Sequence, residues 1–302
     1  MQLGMIGLGR MGHGMTERLR EHGHEVSTYD PNVQERTATS LEELKQQLDA
    51  PRAFWMMIPA GKITEDVFQE LLGIADEGDT IVDGGNSNFR DSKRRYVEAR
   101  EKGIHFVDAG VSGGIWGLDV GFCLMVGGDD EPVKRIEPIF EALAPEDGYA
   151  HVGGSGAGHF VKMVHNGIEY GLMQSYAEGF EIMDHSDYEL DLEQIAGIWR
   201  YGSVVRSWLL ELLHTAFEQH GSKLEDIAPF VEDSGEGRWT ITEAINENVP
   251  APVIAASLFA RFATRDEINF AAKVAAALRN QFGGHAIRAM QEAEASTDPR
   301  SH

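Results

Sequence analysis

The start of the chain constrains its fold more than any other segment. A short apolar strand at Leu3–Gly7 leads into a glycine-rich turn, and a helical pattern then continues to about Glu21. This is the G-x-G-x-x-G fingerprint in the strand–turn–helix context in which it binds a dinucleotide. The first glycine allows the tight turn, the second lets a pyrophosphate approach the backbone, and the third lets helix and strand pack closely. The predicted contacts to a dinucleotide are Gly7, Leu8, Gly9, Arg10, Met11 and Gly12.

The end of the second predicted strand indicates which dinucleotide binds. The strand Glu25–Tyr29 is followed by Asp30, whose carboxylate can accept hydrogen bonds from both ribose hydroxyls of NAD. The same carboxylate would repel the 2′-phosphate of NADP, and Pro31 and Asn32 offer no guanidinium to receive that phosphate. Arg36 is the one nearby residue that could weaken this preference. A purely structural glycine turn would not need the acid, so NAD is the predicted cofactor.

Strands and helices alternate up to residue 152, which predicts a doubly wound α/β domain of the Rossmann type. Further strands are predicted at Ala53–Ile58, Thr80–Asp83, His105–Ala109, Phe122–Val126 and Tyr149–Val152, and further helices at Leu41–Leu48, Ile63–Leu72, Phe89–Lys102 and Asp130–Leu143. Alternation of this kind implies a parallel sheet, whose ligands bind beyond the carboxyl ends of the strands.

Three loops leave those carboxyl ends: Pro59–Gly61, Gly84–Ser87 and Val111–Gly114. Their glycines would let a ligand approach the backbone, and Asn86 and Ser112 could hydrogen-bond a polyol. Each loop alone is also typical of an ordinary turn. We expect cofactor contacts from Ile58, Pro59, Ala60 and Asn86.

From residue 153 to residue 302 the pattern predicts an all-α domain. Its helices are predicted at about 158–185, 191–201, 207–220, 238–247, 252–263 and 265–280. The cofactor-binding domain accordingly spans residues 1–152.

The first of these helices carries a polar stripe on an apolar surface. Within Gly156–Tyr170, apolar residues cover most of the helix, as in a helix buried nearly all round. Lys162, His165, Asn166 and Glu169 are three or four residues apart and share one face. Such stripes usually face water, so a solvated Lys/Glu pair is the alternative. A buried site is favoured because the chain has only eight lysines, and burial moves lysine and glutamate pKa values toward neutrality, as proton transfer requires.

Composition limits the partners of this chain. Its formal net charge of −23 argues against nucleic acid, because binding to a polyanion depends on lysine and arginine. A phosphorylated small molecule would need a few arginines gathered against this charge. The acidity, with 18 arginines against 8 lysines, resembles proteins adapted to high salt, where screening reduces self-repulsion. Ordinary acidic cytosolic proteins are the alternative.

The remaining features predict a cytoplasmic protein without metal. Cys123 is the single cysteine, so disulfides are excluded and a packed thiol in a reducing compartment is expected. No leader sequence and no apolar run of membrane-spanning length is found. No group of potential ligands has the spacing of a metal site.

Taken together, these motifs resemble the 6-phosphogluconate dehydrogenases (decarboxylating), in their short form. The resemblance covers nearly the whole chain, and its most specific part is K-x-x-H-N-G-I-E-Y from Lys162 to Tyr170. It implies oxidation of 6-phosphogluconate by NAD and loss of CO2 to give ribulose 5-phosphate, in the oxidative pentose phosphate pathway. Lys162 would be the general base at the C3 hydroxyl and Glu169 the acid at C1, while His165 and Asn166 would orient the substrate. The residues implied to hold its carboxylate and hydroxyls are Asn86, Ser112, Gly113 and Gly114.

The resemblance also implies that residues 153–302 bind substrate and form oligomer contacts, with a phosphate site shared between subunits of a homodimer or homotetramer. Tyr170 and Arg261 would contact the phosphate, joined by Arg279 and His285 from a neighbouring subunit. One departure concerns this site. Long members carry a lysine where this chain has Ser234, so the site has one cation fewer unless Arg238 replaces it. The duplicated helical half of the long members is also absent.

Two other functions would use part of these motifs. An NAD-dependent dehydrogenase of a small β-hydroxy acid, of the 3-hydroxyisobutyrate type, would need Lys162 but not Arg261, Arg279 or His285. A non-catalytic NAD-binding regulatory protein would keep the glycine loop and Asp30 but would have no use for a buried Lys/Glu stripe.

Overall fold

The computed structural model describes residues 1–265 and 270–283, which form a sheet-containing part followed by helices. The strands are β1 Gln2–Ile6, β2 Glu25–Tyr29, β3 Ala53–Met56, β4 Thr80–Asp83, β5 His105–Ser112, β6 Cys123–Gly127 and β7 Tyr149–Gly153. The helices beside them are α1 Arg10–Glu21, α2 Leu41–Gln46, α3 Lys62–Ile74, α4 Phe89–Glu101, α5 Gly117–Val120 and α6 Asp130–Leu143. The later helices are α7 Ala157–Asp184, α8 Leu192–Trp199, α9 Trp208–His220, α10 Glu236–Asn246, α11 Pro252–Ala263 and α12 Phe270–Gly283. The predicted fold class is confirmed.

The sheet has a switch point between β1 and β3. Its strand order is β2-β1-β3-β4-β5-β6-β7, and β1 pairs in parallel with both β2 and β3. The chain therefore leaves β1 toward one edge of the sheet and returns on the other side, which opens a crevice beyond the carboxyl ends of β1 and β3. The glycine loop after β1 lies at this crevice.

Two strands depart from the predicted parallel sheet. β6 runs antiparallel to β5, with Ser112 opposite Cys123, and β7 is parallel to β6, so both run opposite to β1–β5. The segment between β5 and β6 holds only a short 3-10 turn and the single-turn α5. A parallel crossover needs a dozen or more residues, usually including a full helix, so the chain returns antiparallel.

Apolar side chains bury both faces of the sheet, as helices on both sides require. Trp55 meets Phe140 edge to face on one side, with ring centroids 5.9 Å apart. Phe68 meets Phe106 in the same way on the other side, at 5.7 Å. The sheet is thus a rigid base for the loops at its carboxyl end.

The helix α7 is seated directly on β5 and β6. Gly158 approaches these strands so closely that a Cβ atom there would lie 2.4 Å from the carbonyl oxygen of Met125. Asp108 of β5 is fully buried and accepts hydrogen bonds from the backbone N–H groups of Gly156 (2.6 Å) and His159 (2.9 Å). Burial raises the pKa of Asp108. These contacts fix the first turn of α7 against the sheet and thereby position its polar stripe.

The outer face of α7 is exposed, so the prediction of a helix buried nearly all round is wrong for the single chain. Ile168, Leu172 and Met173 keep 53%, 44% and 41% of their surfaces accessible. The sheet, α10 and α11 cover only the opposite face. Sequence periodicity reports that a face is apolar but not whether the same chain covers it.

The described side chains of α12 from Phe270 to Arg279 are all exposed. They include Phe270, Val274 and Leu278, which are apolar. Arg265, at the predicted start of this helix, lies in a turn, and the helix is described from Phe270 to Gly283. No helix among the described residues is long and apolar enough to cross a membrane.

Candidate active site

The glycine loop after β1 has the geometry that its sequence predicts. Gly7 has φ +94°, and a Cβ on Gly12 would lie 2.1 Å from the carbonyl oxygen of Gly7. Both positions therefore require glycine for the fold itself. A Cβ on Gly9 would meet nothing within 4 Å. Space beside Gly9 is left for a ligand at the N-terminus of α1, where free N–H groups favour a phosphate.

Asp30 lies beside this loop and is ordered by backbone groups. Its Oδ2 accepts from the N–H of Leu8 and its Oδ1 from the N–H of Asn32, both at 2.8 Å. Each carboxylate oxygen can accept a second hydrogen bond, so both remain able to bind ribose hydroxyls. Arg36 donates to the carbonyl oxygen of Val33 (2.7 Å) and also contacts the carbonyl oxygen of Asp30 (3.2 Å). A guanidinium is therefore held within the turn that follows Asp30.

A single cleft of about 1130 Å³ joins the glycine loop to the polar stripe of α7. Most of the predicted cofactor and substrate residues line it. They are Gly9, Arg10, Met11, Gly12, Ile58, Pro59, Ala60, Asn86, Ser112, Gly113, Gly114, Lys162, His165, Asn166 and Glu169. Gly7, Leu8 and Asp30 lie in or beside the loop but do not line the cleft.

Lys162 is buried at the floor of this cleft, with 7% of its surface accessible. Its stem packs on Gly110 of β5, where a Cβ atom would lie 2.4 Å from the Cβ of Lys162. Burial lowers the pKa of Lys162 below its ordinary value, and the nearby charges of Glu169 and Glu236 act in the opposite direction. A lysine of this kind can be neutral at a pH where an exposed lysine is fully charged. That property suits a general base.

His165 links the stripe to the loop after β5. Its Nε2 lies 3.3 Å from Ser112 Oγ, and its Nδ1 lies 3.0 Å from Asn166 Oδ1. Because the Asn166 oxygen can only accept, a neutral His165 ring would carry its proton on Nδ1 and accept from the Ser112 hydroxyl at Nε2. Glu169 Oε2 lies 3.9 Å from the same Nδ1. These contacts orient the polar groups of α7 toward the cleft.

The predicted phosphate residues form a second cluster around Tyr170. The Tyr170 hydroxyl accepts from the N–H of Ser234 at 3.2 Å. The guanidinium of Arg261 lies 3.5 Å above the Tyr170 ring and donates to the carbonyl oxygen of Glu232. Arg279 is exposed on α12, and His285 lies outside the described residues.

Arg238, the suggested substitute for the missing lysine, is paired with an acid. It donates to both carboxylate oxygens of Asp233, at 2.8 and 2.9 Å. Arg265 contacts the same carboxylate at 3.0 Å. These arginines lower the pKa of Asp233 to about 2. A phosphate would have to compete with Asp233 for Arg238.

Comparison with known proteins places the chain in a family. Residues 2–153 match the model of the NAD binding domain of 6-phosphogluconate dehydrogenase. Residues 158–298 match the model of the 6-phosphogluconate dehydrogenase C-terminal domain. The chain belongs to the 6-phosphogluconate dehydrogenase family. This confirms the resemblance carried by the Lys162–Tyr170 motif.

Among 6-phosphogluconate dehydrogenases, the NAD(+)-dependent, decarboxylating enzyme of Haloferax volcanii is 42% identical over 95% of this chain and 98% of its own length. A solved structure of the Plasmodium falciparum enzyme matches all of this chain and 67% of its own, with a TM-score of 0.79 and 28% identity. It was determined in its apo form, with NADP+ and with 6-phosphogluconate. The fold, without further implication, is shared with 3-hydroxyisobutyrate dehydrogenase of Mycobacterium tuberculosis, at a TM-score of 0.65, 22% identity, and 87% and 93% coverage.

The structure also brings residues to the site that the 6-phosphogluconate dehydrogenase motifs did not suggest. Glu236 is buried at the first position of α10, two residues before the predicted start of that helix. Its place in Gly235-Glu236-Gly237, beside the predicted phosphate residues, was the available signal. Apolar side chains from the loop after β5 and from α9 complete the cleft: Ile115, Trp116, Trp208, Leu209 and Leu212.

Cys123 is exposed, so the predicted packed thiol is wrong. Its neighbours Phe122 and Leu124 are buried, because successive residues of an extended segment point to opposite sides.

One group of potential metal ligands occurs among the described residues, although its spacing was not singled out in the sequence. Atoms of Glu193, His214 and Glu218 lie within 4.8 Å of one another. Arg200 Nη2 lies 3.5 Å from His214 Nε2, and His214 Nδ1 lies 3.4 Å from a Glu218 oxygen without a hydrogen bond between them. The absence of a metal site stays a prediction.

Proposed function

We propose that this chain oxidises 6-phosphogluconate with NAD and releases ribulose 5-phosphate and CO2. The observation that carries the proposal is the buried Lys162, which lines the same cleft as the dinucleotide loop. A base with a lowered pKa next to a hydride acceptor is what oxidation of a secondary alcohol needs. Membership of the family supports the substrate and the order of steps.

NAD fits the residues present, because the space beside Gly9 can receive its pyrophosphate and Asp30 its ribose. When bound, it supplies the acceptor for the hydride that leaves C3. Neutral Lys162 takes the proton of the C3 hydroxyl as that hydride leaves, which produces a 3-keto acid. The resulting Lys162 ammonium donates to the keto oxygen while the C1 carboxylate departs as CO2. Glu169 then delivers a proton to the former C2 of the substrate, which becomes C1 of ribulose 5-phosphate, while the enediol hydroxyl on the neighbouring carbon gives its proton to Lys162.

His165 and Asn166 have a positioning role in this proposal. The hydrogen bonds Ser112–His165–Asn166 fix both side chains before substrate arrives. Pre-ordered hydrogen-bond donors of this kind reduce the reorganisation needed in the transition state. The glycines at positions 113 and 114 let the substrate approach the backbone of the loop after β5.

The preference for NAD over NADP is part of the proposal. Asp30 supports it because its carboxylate would repel a 2′-phosphate. Arg36 works against it, although its guanidinium is already engaged with backbone carbonyl groups. NAD is therefore proposed as the preferred cofactor.

The phosphate of the substrate is proposed to bind at Tyr170 and Arg261, assisted by Arg279 and His285 of a second subunit. The exposed apolar faces of α7 and α12 support a homo-oligomer, because contiguous exposed apolar surface of this kind marks interaction sites.

We also propose adaptation to high salt, supported by the net charge of −23.

The test is an assay of NAD reduction with 6-phosphogluconate labelled at C1, with release of labelled CO2 followed in parallel. Gluconate and 3-hydroxyisobutyrate serve as control substrates, since they lack the phosphate. NADH and labelled CO2 in equal amounts, with 6-phosphogluconate strongly preferred, is the expected result. NADH without CO2, or preference for an unphosphorylated substrate, would contradict the proposal.

A further inference from the structure

Glu236 is a buried carboxylate to which the proposed mechanism gives no role. It is the first residue of α10 and keeps only 2% of its surface accessible. Neither of its carboxylate oxygens has a hydrogen-bond partner among the residues that the structure describes. An ionised carboxylate that is buried and unpaired costs several kcal/mol, so a fold retains one only where something compensates it.

Contacts near the start of α10 connect the segment that holds Glu236 to the turn of α7 that carries Lys162. The Thr240 hydroxyl lies 2.8 Å from the carbonyl oxygens of both Met163 and Glu236, and its one proton can be donated to either. Met163 directly follows Lys162 in the chain. One turn further along α7, Gly167 contacts the Thr240 side chain, where an added Cβ would lie 2.7 Å from Thr240 Cγ2. The start of α10 is therefore pressed against the catalytic segment of α7.

Lys162 and Glu236 are complementary in charge but not in direct contact. No hydrogen bond or ion pair joins Lys162 Nζ to another residue in the described part of the chain, yet the charge of Glu236 acts on it. The titratable groups that act on Lys162 are Glu169 on its own helix, Glu236 on α10 and Cys123 on β6. Glu169 is half-exposed, so water and salt screen its charge, whereas the charge of Glu236 is shielded from both.

We propose that Glu236 is a positioning residue of the active site, the buried counter-charge that stabilises the Lys162 ammonium formed when the base takes its proton. The positive end of α10 compensates the carboxylate in the resting enzyme, when Lys162 is neutral. After proton transfer the ammonium compensates it. This inference rests on the proposed function only in the assignment of Lys162 as the base.

A direct titration of Lys162 tests the inference without substrate. Lysines labelled by reductive methylation with 13C-formaldehyde give NMR signals whose shifts follow their protonation, and Lys162→Arg identifies the signal of Lys162. In Glu236→Gln the pKa of Lys162 should fall by about one unit, since an opposite charge has been removed. Glu243→Gln is the matched control, because it removes another buried carboxylate from α10 whose partner is Arg90. There the pKa of Lys162 should not change.

Two further variants keep the test decisive. Glu236→Met removes the charge and leaves an apolar side chain of similar size at this buried position, so it should fold even if the glutamine variant does not, and it should lower the pKa of Lys162 equally. Glu236→Asp should restore most of the wild-type value. An unchanged pKa in the charge-removing variants, or an equal fall in Glu243→Gln, would overturn the inference.

Enzyme kinetics give a second readout, which depends on the proposed function. In Glu236→Gln the acid limb of the pH profile of kcat/KM should move to lower pH by the same amount as the pKa of Lys162 measured by NMR. The melting temperature should be unchanged or raised. A shifted titration without any 6-phosphogluconate activity in wild type would leave the role of Glu236 intact and refute only the proposed reaction.

Discussion

At the scale of single residues, the chemistry depends on the burial of Lys162. Replacement of Lys162 by alanine should abolish hydride transfer, because the proposed mechanism assigns removal of the C3 hydroxyl proton to Lys162 alone. General acid–base groups typically contribute about 10²–10⁴-fold. Glu169→Ala should mainly slow protonation of the enediol, so hydride transfer in a single turnover should stay close to wild type. Stopped-flow measurement of NADH formation separates the two steps. Near-normal turnover in Lys162→Ala would refute the mechanism.

The pH dependence follows from the same burial. Lys162 must be neutral to act as a base, so kcat/KM should rise as the pH increases through its pKa. Because burial lowers that pKa, the rise should occur at a lower pH than for an exposed lysine.

A second residue-scale prediction concerns Asp30. In Asp30→Ala the repulsion of the 2′-phosphate is removed, and the preference for NAD over NADP should relax by about tenfold or more, since charge-assisted contacts contribute roughly 1.5–3 kcal/mol. The measurement is kcat/KM with each cofactor at saturating substrate. Arg36→Ala is the companion variant and should sharpen the preference. A wild-type enzyme that uses both cofactors equally would mean that the end of β2 has been misinterpreted.

At the scale of secondary-structure elements, the glycine loop contains one glycine that the packing of the fold requires and another that the ligand requires. Gly12→Ala should destabilise the protein by about 1–3 kcal/mol, because the added Cβ would overlap the Gly7 carbonyl oxygen and push α1 away from β1. Gly9→Ala meets no atom and should leave the melting temperature unchanged, yet weaken NAD binding. Thermal melts and calorimetric titration with NAD distinguish the two. Equal effects of both variants on stability would contradict this division of roles.

The elements also indicate how far sequence reasoning extends. Strand and helix positions were predictable because glycine turns and hydrophobic periodicity are local signals, and the shared face of the four polar residues of α7 was predictable from their spacing. The direction of β6 depended on the length of its connection to β5. Glu236 was missed because its burial results from the packing of α10 on α7, which no local pattern encodes. For the same reason the exposed face of α7 was predicted as buried.

At the scale of the whole molecule, the net charge of −23 predicts dependence on salt. Self-repulsion between acidic groups should weaken the fold when screening is removed. Activity and melting temperature should both decline as the salt concentration is lowered toward dilute buffer, and both should recover on its return. An enzyme equally stable and active in dilute buffer would leave the acidity without this explanation.

The last prediction is that each active site is shared between two chains. It rests on Arg279, which lies exposed on α12 together with apolar residues that the described part of its own chain leaves uncovered. In a closed homodimer any contribution of α12 to the neighbouring site is reciprocal. Inactive Lys162→Ala chains and weak Arg279→Ala chains are therefore to be refolded together in equal amounts.

In a mixed dimer one site inherits both defects and the other inherits neither. Half of the dimers are mixed under random pairing, so roughly a quarter of wild-type activity should return. The matched control pairs Lys162→Ala with the double variant Lys162→Ala/Arg279→Ala, in which no intact site can form and no activity should return. If the first mixture is no more active than the average of its two parents, Arg279 acts within its own chain, because only exchange between subunits can rebuild a site from two defective chains.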